Sequence, residues 1–192
     1  LWSQPYGADP TNPKYIERMK KTIHYLISDD EGCCNCDGFK IDFANCMPLG
    51  RGLQTYEKGV YGIELLKRLI SLIYTLTKSE KPYALINNSC CHPYFYEVTD
   101  QVRLHDYCVK CRNSEYALQL RAGLFGSVMD GKLIDTDGAG DSSRRDAMRY
   151  ISKSAEIGVP DLYIIDSNVL QDEDWEKIKL LWKEYSQKND CI

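Results

Sequence analysis

The sequence lacks the features that would take it to a nucleic acid or into a lipid bilayer. No run rich in lysine or arginine occurs, and acidic residues outnumber basic ones 28 to 24, for a net charge of −4. Such a balance offers a polyanion no electrostatic footprint, so neither nucleic acid nor an anionic membrane surface is an expected partner. Apolar stretches all stop far short of the roughly 20 residues that span a bilayer. There is no signal peptide and no initiator methionine, and the opening "LWSQPYG" reads as cut from something longer. No internal repeat or low-complexity linker divides the chain, so residues 1–192 are expected to form one domain. Neither a glycine-rich phosphate loop nor a Ser-His-Asp order is present. Histidine is scarce, with three in all.

What is plentiful is cysteine. Nine occur, at 33, 34, 36, 46, 90, 91, 108, 111 and 191. "GCCNC" and "CVKC" have spacings that zinc sites use: Cys33 and Cys36, like Cys108 and Cys111, stand two residues apart, although a long stretch of chain separates the two pairs. The adjacent pairs 33–34 and 90–91 do not resemble an ordered secreted disulfide framework, so free thiols are the simpler reading. The compartment stays open, with the cytoplasm slightly favoured. Hydrophobic content of 43% and charged content of 27% are those of an ordinary globular chain.

Periodicity organises the rest. Asn12 followed by Pro13 is a helix start, and Ile16, Met19, Ile23, Leu26 and Ile27 continue at helical spacing. A strand over 38–43 follows, then a helix over 57–78 with Ile63, Leu66, Ile70 and Ile73 on one stripe. "YALINNS" (83–89) and "QVRLHDY" (101–107) read as strands, and a helix runs from Ser114 to Met129. "KLIDTDG" (132–138) comes next, then a helix capped by Ser142 or Ser143, the strand "PDLYIID" (160–166), and a last helix lined by Trp175, Ile178, Leu181, Trp182 and Tyr185.

Strands separated mostly by helices predict βαβ units, hence an α/β fold with a parallel sheet. Nearly every strand ends in polar residues: Asp42, Asn87 and Asn88, Asp106, Asp135 and Asp137, and Asp166. A doubly wound sheet gathers ligand groups near one switch point, whereas a (β/α)₈ barrel takes them from the tops of many strands. A full barrel needs about 250 residues. The expectation is therefore a TIM-barrel chain covering roughly the C-terminal two thirds, with open edges that favour self-association. In "DGFKIDFAN" (37–45), Phe39, Ile41 and Phe43 would face the helices, while Lys40 and Asp42 point into the lumen near the rim. The alternative for those two charges is a structural Lys–Asp pair.

"DGFKIDFAN" resembles the nucleophile strand of the retaining α-glycosidases of the melibiase type, glycoside hydrolase families 27, 31 and 36, which share Lys-x-Asp at the end of barrel strand four. "LWSQPYGADPTNPKYIERM" resembles the segment before it, a strand ending in Leu/Ile-Trp that leads through a Pro-containing loop to a helix. "QVRLHDY" is similar to the strand that carries the acid/base aspartate. The likeness covers nearly the whole chain in order and spacing, although "NNSCCHPYF" is only loosely like the family's loops.

The resemblance implies retaining hydrolysis of α-glycosidic bonds, α-galactosidase-like, on a carbohydrate substrate. Asp42 would be the nucleophile, and Asp106 the general acid that later activates water. Lys40 would hydrogen-bond sugar hydroxyls and hold Asp42 ionised. Arg103 would bind sugar or orient a carboxylate, and its strand parity differs from that of Asp106. Trp2, Asn87, His92 and Asp137 are rim candidates, each open between sugar contact and a structural role. His105 would tune Asp106 or face the helices, and His24 reads as a surface or interhelix residue. No cofactor and no metal are expected, since two carboxylates with opposite protonation needs suffice for this chemistry. A retaining pair would stand roughly 5–5.5 Å apart, with Asp135 or Asp137 as the next candidate acid. Alternatives are an α-glucosidase or α-xylosidase relative, or a catalytically silent sugar-binding or truncated barrel.

Overall fold

A computed structural model describes residues 8–44, 47, 50, 52–104, 107–108, 114–140, 143–160 and 167–189. Within them helices alternate with short strands, and the strand pairings are parallel, which makes the fold α/β. The chain divides into two compact units, residues 1–101 and 102–192.

In the first unit, helix α1 (Pro13–Ile27) starts where Asn12 accepts the Lys14 N–H at 2.9 Å, with Pro13 in the first turn. The loop beyond Ser28 folds back along the end of that helix. The N–H groups of Cys34, Asn35 and Cys36 donate to the carbonyls of Tyr25, Ser28 and Leu26 at 2.8, 3.1 and 2.8 Å. Buried Lys81 fastens the loop, since its ammonium donates to Asn35 Oδ1 at 2.6 Å and to the Cys36 carbonyl at 3.0 Å. A buried ammonium is tolerable only with such partners, so the loop's path is specified by one side chain.

Strand β1 (Gly38–Ile41) runs parallel to β2 (Leu85–Asn88), with Phe39 opposite Ile86 and Lys40 opposite Asn87. Gly38 has φ of +149°, and a Cβ there would overlap the Leu85 carbonyl, so only glycine fits. Helix α2 (Gly62–Glu80) covers the pair. Its Leu66 and Ile70 pack with Ile41, Ile86, Phe95 and Val98 into one core, with Phe39 and Ile73 against it. Two expectations need correcting. Ile63, in the first turn of α2, lies off the buried stripe at 48% exposure, whereas Leu65 and Leu66 just after it are buried. Phe43 does not face the helices either: the strand stops at Ile41, and Phe43 turns to φ +51° with 58% of its surface exposed.

The second unit begins inside strand β3 (Gln101–Arg103). Its partner is β5 (Leu133–Asp135), which Leu104 reaches through an N–H bond of 3.0 Å to the Asp135 carbonyl. Val159 makes a parallel bridge on Asp135, its N–H donating to the Ile134 carbonyl at 2.8 Å. Strands β4 (Tyr107–Cys108) and β6 (Ala139–Gly140) form a separate parallel pair, so the strand expected over 101–107 is two short ones. Helix α3 (Ser114–Val128) packs Leu118 and Ala122 with Leu104 and Tyr150. Helix α4 (Arg144–Ile157), capped by Ser143, packs Ala147 and Ile151 against Ile178 of helix α5 (Asp172–Asn189), with Trp175 and Leu181 beside them. The strand expected over 160–166 lies, past Pro160, outside the described residues.

Candidate functional site

Polar side chains collect where the strands of each unit end. After β1, Asp42 is exposed, and its Oδ1 accepts the N–H of Phe43 at 2.9 Å. That bond accompanies the left-handed backbone at Phe43, a conformation that bulky residues seldom adopt and that tends to mark functional turns. Lys40, one register step before the strand end, is exposed as well. The two charges therefore reach solvent rather than the apolar core, which removes the desolvation cost their strand position implied.

Asn87 and Asn88, at the end of β2, are both buried. Asn88 is structural: its amide donates to Thr99 Oγ1 at 3.0 Å and its carbonyl oxygen accepts the Cys90 N–H at 2.9 Å. His92 is exposed and accepts the Tyr94 N–H at Nδ1, 3.1 Å away, which caps the 3₁₀ turn Pro93–Val98. That bond gives His92 a structural task in the first turn after the strand. Beside it, burial pushes the Cys91 thiol up to about 11 and raises Cys90 too, against a hydrogen bond with Ser89. Both thiols are protonated near neutrality and are poor nucleophiles.

The second unit holds the more constrained cluster. Arg103, 5% exposed at the end of β3, grips Asp137, fully buried beyond the end of β5. Nη2 donates to Oδ1 at 3.1 Å, and Nε stands 2.6 Å from Oδ2 as an ion-pair contact without the alignment of a second hydrogen bond. Asp137 has φ of +63°, and the turn that puts it there is tied down at several points. Asp135 Oδ1 accepts the Asp137 N–H at 2.7 Å, and Asp137 Oδ1 accepts the Gly138 N–H at 2.9 Å. From α4 the buried Tyr150 hydroxyl donates to the Thr136 carbonyl and, at 3.1 Å, to that of Asp137. Thr136 Oγ1 donates to the Val159 carbonyl at 2.7 Å.

The sequence reading named Arg103 and Asp137, and the structure brings them into direct contact. Lys40 and Asn87 occupy the same register position on adjacent strands. Trp2, Asp106 and His105 lie outside the described residues. Tyr150, Thr136 and Lys81 were missed, because each acts on main-chain carbonyls or loop atoms that no short motif announces. Among the described residues no cluster of three or more His, Cys, Asp or Glu side chains is arranged to hold a metal ion, and Cys33, Cys34, Cys36, Cys90 and Cys91 are free thiols.

No family model, no curated protein and no solved structure matches this chain.

Proposed function

We propose that the chain is catalytic-barrel sequence of a retaining α-glycosidase, α-galactosidase-like in its substrate, working by two aspartates. One observation carries the reading: at the C-terminal ends of short parallel strands stand Lys40 and Asp42, Asn87 and Asn88, Arg103, and Asp135 with Asp137. Active sites of (β/α)₈ barrels are built from such strand ends, each contributing a group or two. On this proposal Asp42 attacks the anomeric carbon, and its N–H bond from Phe43 fixes the carboxylate plane for that attack. Lys40 binds sugar hydroxyls. Asp106 protonates the leaving oxygen and then activates water, the two tasks that a retaining mechanism gives to one residue. The Arg103–Asp137 pair braces the rim rather than reacting, since both members are engaged with one another. No cofactor takes part.

The test is hydrolysis of aryl α-galactosides, with aryl α-glucosides and α-xylosides alongside. Asp42→Asn should abolish turnover with an unchanged circular dichroism spectrum. Asp106→Asn should slow substrates with poor leaving groups far more than activated ones, because only the former need a proton. Turnover that persists in Asp42→Asn would remove the nucleophile assignment, and no turnover of any of the three glycosides by the chain together with the remaining barrel strands would remove the enzymatic reading.

A further inference from the structure

On the face of α4 away from Tyr150, a groove of about 670 Å³ opens among residues of α3, α4 and α5. It is lined by five basic side chains, Arg144, Arg145, Arg149, Lys153 and Lys177, and by three acidic ones, Glu115, Glu156 and Asp174. The acids are already taken. Arg144 holds buried Asp174 with a fork, 2.6 Å from Nε to Oδ2 and 3.1 Å from Nη2 to Oδ1. Arg149 meets Glu115 at 2.6 Å, and Lys153 pairs with Glu156. Arg145 and Lys177, from two different helices, are exposed and form no ion pair among the described residues. Arg145 thus faces the groove with no carboxylate in contact among the described residues, and Lys177 with only a through-space attraction to Asp174, which Arg144 already holds.

We propose that this groove is a binding site for a small phosphate monoester, with the dianionic phosphate on Arg145 and Lys177. The charge argument selects a dianion. Arginine's planar fork favours phosphate over a dicarboxylate whose two charges sit at separate ends. The volume selects an ester over the bare ion: sites for small organic ligands run from about 300 to 1,000 Å³, and inorganic phosphate would leave most of this one empty. Met148 and Ser152 line the remainder, an apolar surface and a hydroxyl for the organic part. Fixed pairs on either side, Arg144–Asp174 and Arg149–Glu115, keep the neighbouring guanidinium groups from collapsing across the opening. None of these residues belongs to the glycosidase proposal, so the two stand or fall separately.

The experiment is a titration of the ¹⁵N-labelled chain with phenyl phosphate, inorganic phosphate, succinate and sodium chloride, all at one ionic strength. Saturable amide shifts near Arg145, Met148 and Lys177 are expected with phenyl phosphate, and weaker ones with inorganic phosphate. Arg145→Gln and Lys177→Gln should each weaken phenyl phosphate binding about tenfold, as loss of a charge-assisted hydrogen bond does. The spectrum elsewhere should not change, because both side chains are exposed. Shifts that chloride reproduces would mean screening alone and overturn the site. Binding retained in the double variant would overturn it too, and succinate binding as tightly as phenyl phosphate would overturn the assignment to phosphate. Hydrolysis of glycosides, where present, should be the same in both variants.

Discussion

Asp137 and Arg103 illustrate what one buried ion pair commits a chain to. The carboxylate is fully buried and the guanidinium nearly so, which is costly for each unless the other is present. Replacing Asp137 by Asn should therefore destabilise by about 3–5 kcal/mol, because the buried Arg103 guanidinium loses the carboxylate that grips it here. Tyr150→Phe removes only a hydroxyl from two main-chain carbonyls and should cost about 1–3 kcal/mol. Urea unfolding of both variants checks the pair: an Asp137→Asn loss no larger than that of Tyr150→Phe would mean the ion pair is not held as described. The two members are 34 residues apart in sequence, so each could be singled out by its type and place near a strand end but their partnership could not. Asp42 could be singled out for the opposite reason, since the pattern that marks it lies within a few residues of one strand. The alternation that placed Phe43 against the helices failed at the last step, where the backbone leaves the extended region and parity stops applying.

Between elements, α1 and α2 are joined by a titratable contact. His24 Nδ1 lies 3.0 Å from Glu80 and its Nε2 3.5 Å from Asp30. The Glu80 hydrogen bond, more than the opposing loss of hydration, raises the imidazole above its ordinary value, and the charges of Glu80 and Asp30 add to it. A raised folded-state value means the folded chain holds the proton more tightly than the unfolded one. The contact's stabilisation is thus fully present below about pH 6.5, where the unfolded histidine is protonated, and disappears as pH rises through the folded value. His24→Gln should flatten that part of the stability–pH curve between mildly acidic and neutral pH, and an NMR titration of the wild-type imidazole should give a midpoint above 6.5. An unshifted midpoint would refute the contact. Asp9 moves the other way. Burial alone would raise its carboxyl, but hydrogen bonds from the Thr11 hydroxyl and the N–H groups of Tyr56 and Thr11 together lower it. Helix starts were the most readable elements: Asn12-Pro13 and Ser143 cap as their chemistry dictates. The helix expected from 57 begins at Gly62, because residues 55–57 are drawn instead into bonds with Asp9, Thr11 and one another.

At the scale of the molecule, each unit carries its own apolar core: Ile70 and its neighbours in the first, Leu118 and Ile151 with theirs in the second. Ile70 is wholly buried, so Ile70→Ala should lower stability by about 2–5 kcal/mol. Hydrogen exchange should show that loss first in amides of α2, β1 and β2; uniform loss across all elements would mean the chain unfolds as a single cooperative block. The α/β class was legible from the alternation of patterns, whereas the two units were not, because no proline-rich or polar stretch marks where one gives way to the other. The division falls within β3, where Gln101, Val102 and Arg103 are 4%, 0% and 5% exposed, and Leu104 just after it is 1% exposed. Trypsin cuts after arginine, yet it must first draw the chain out into its own cleft. At Arg103 that means pulling a paired guanidinium and three covered neighbours out of the interior, so this peptide bond is hidden from the protease for as long as the fold lasts. Digestion of the native chain should spare the Arg103–Leu104 bond and cut at exposed lysines first, and the appearance of that one fragment end becomes a clock for unfolding at the junction itself.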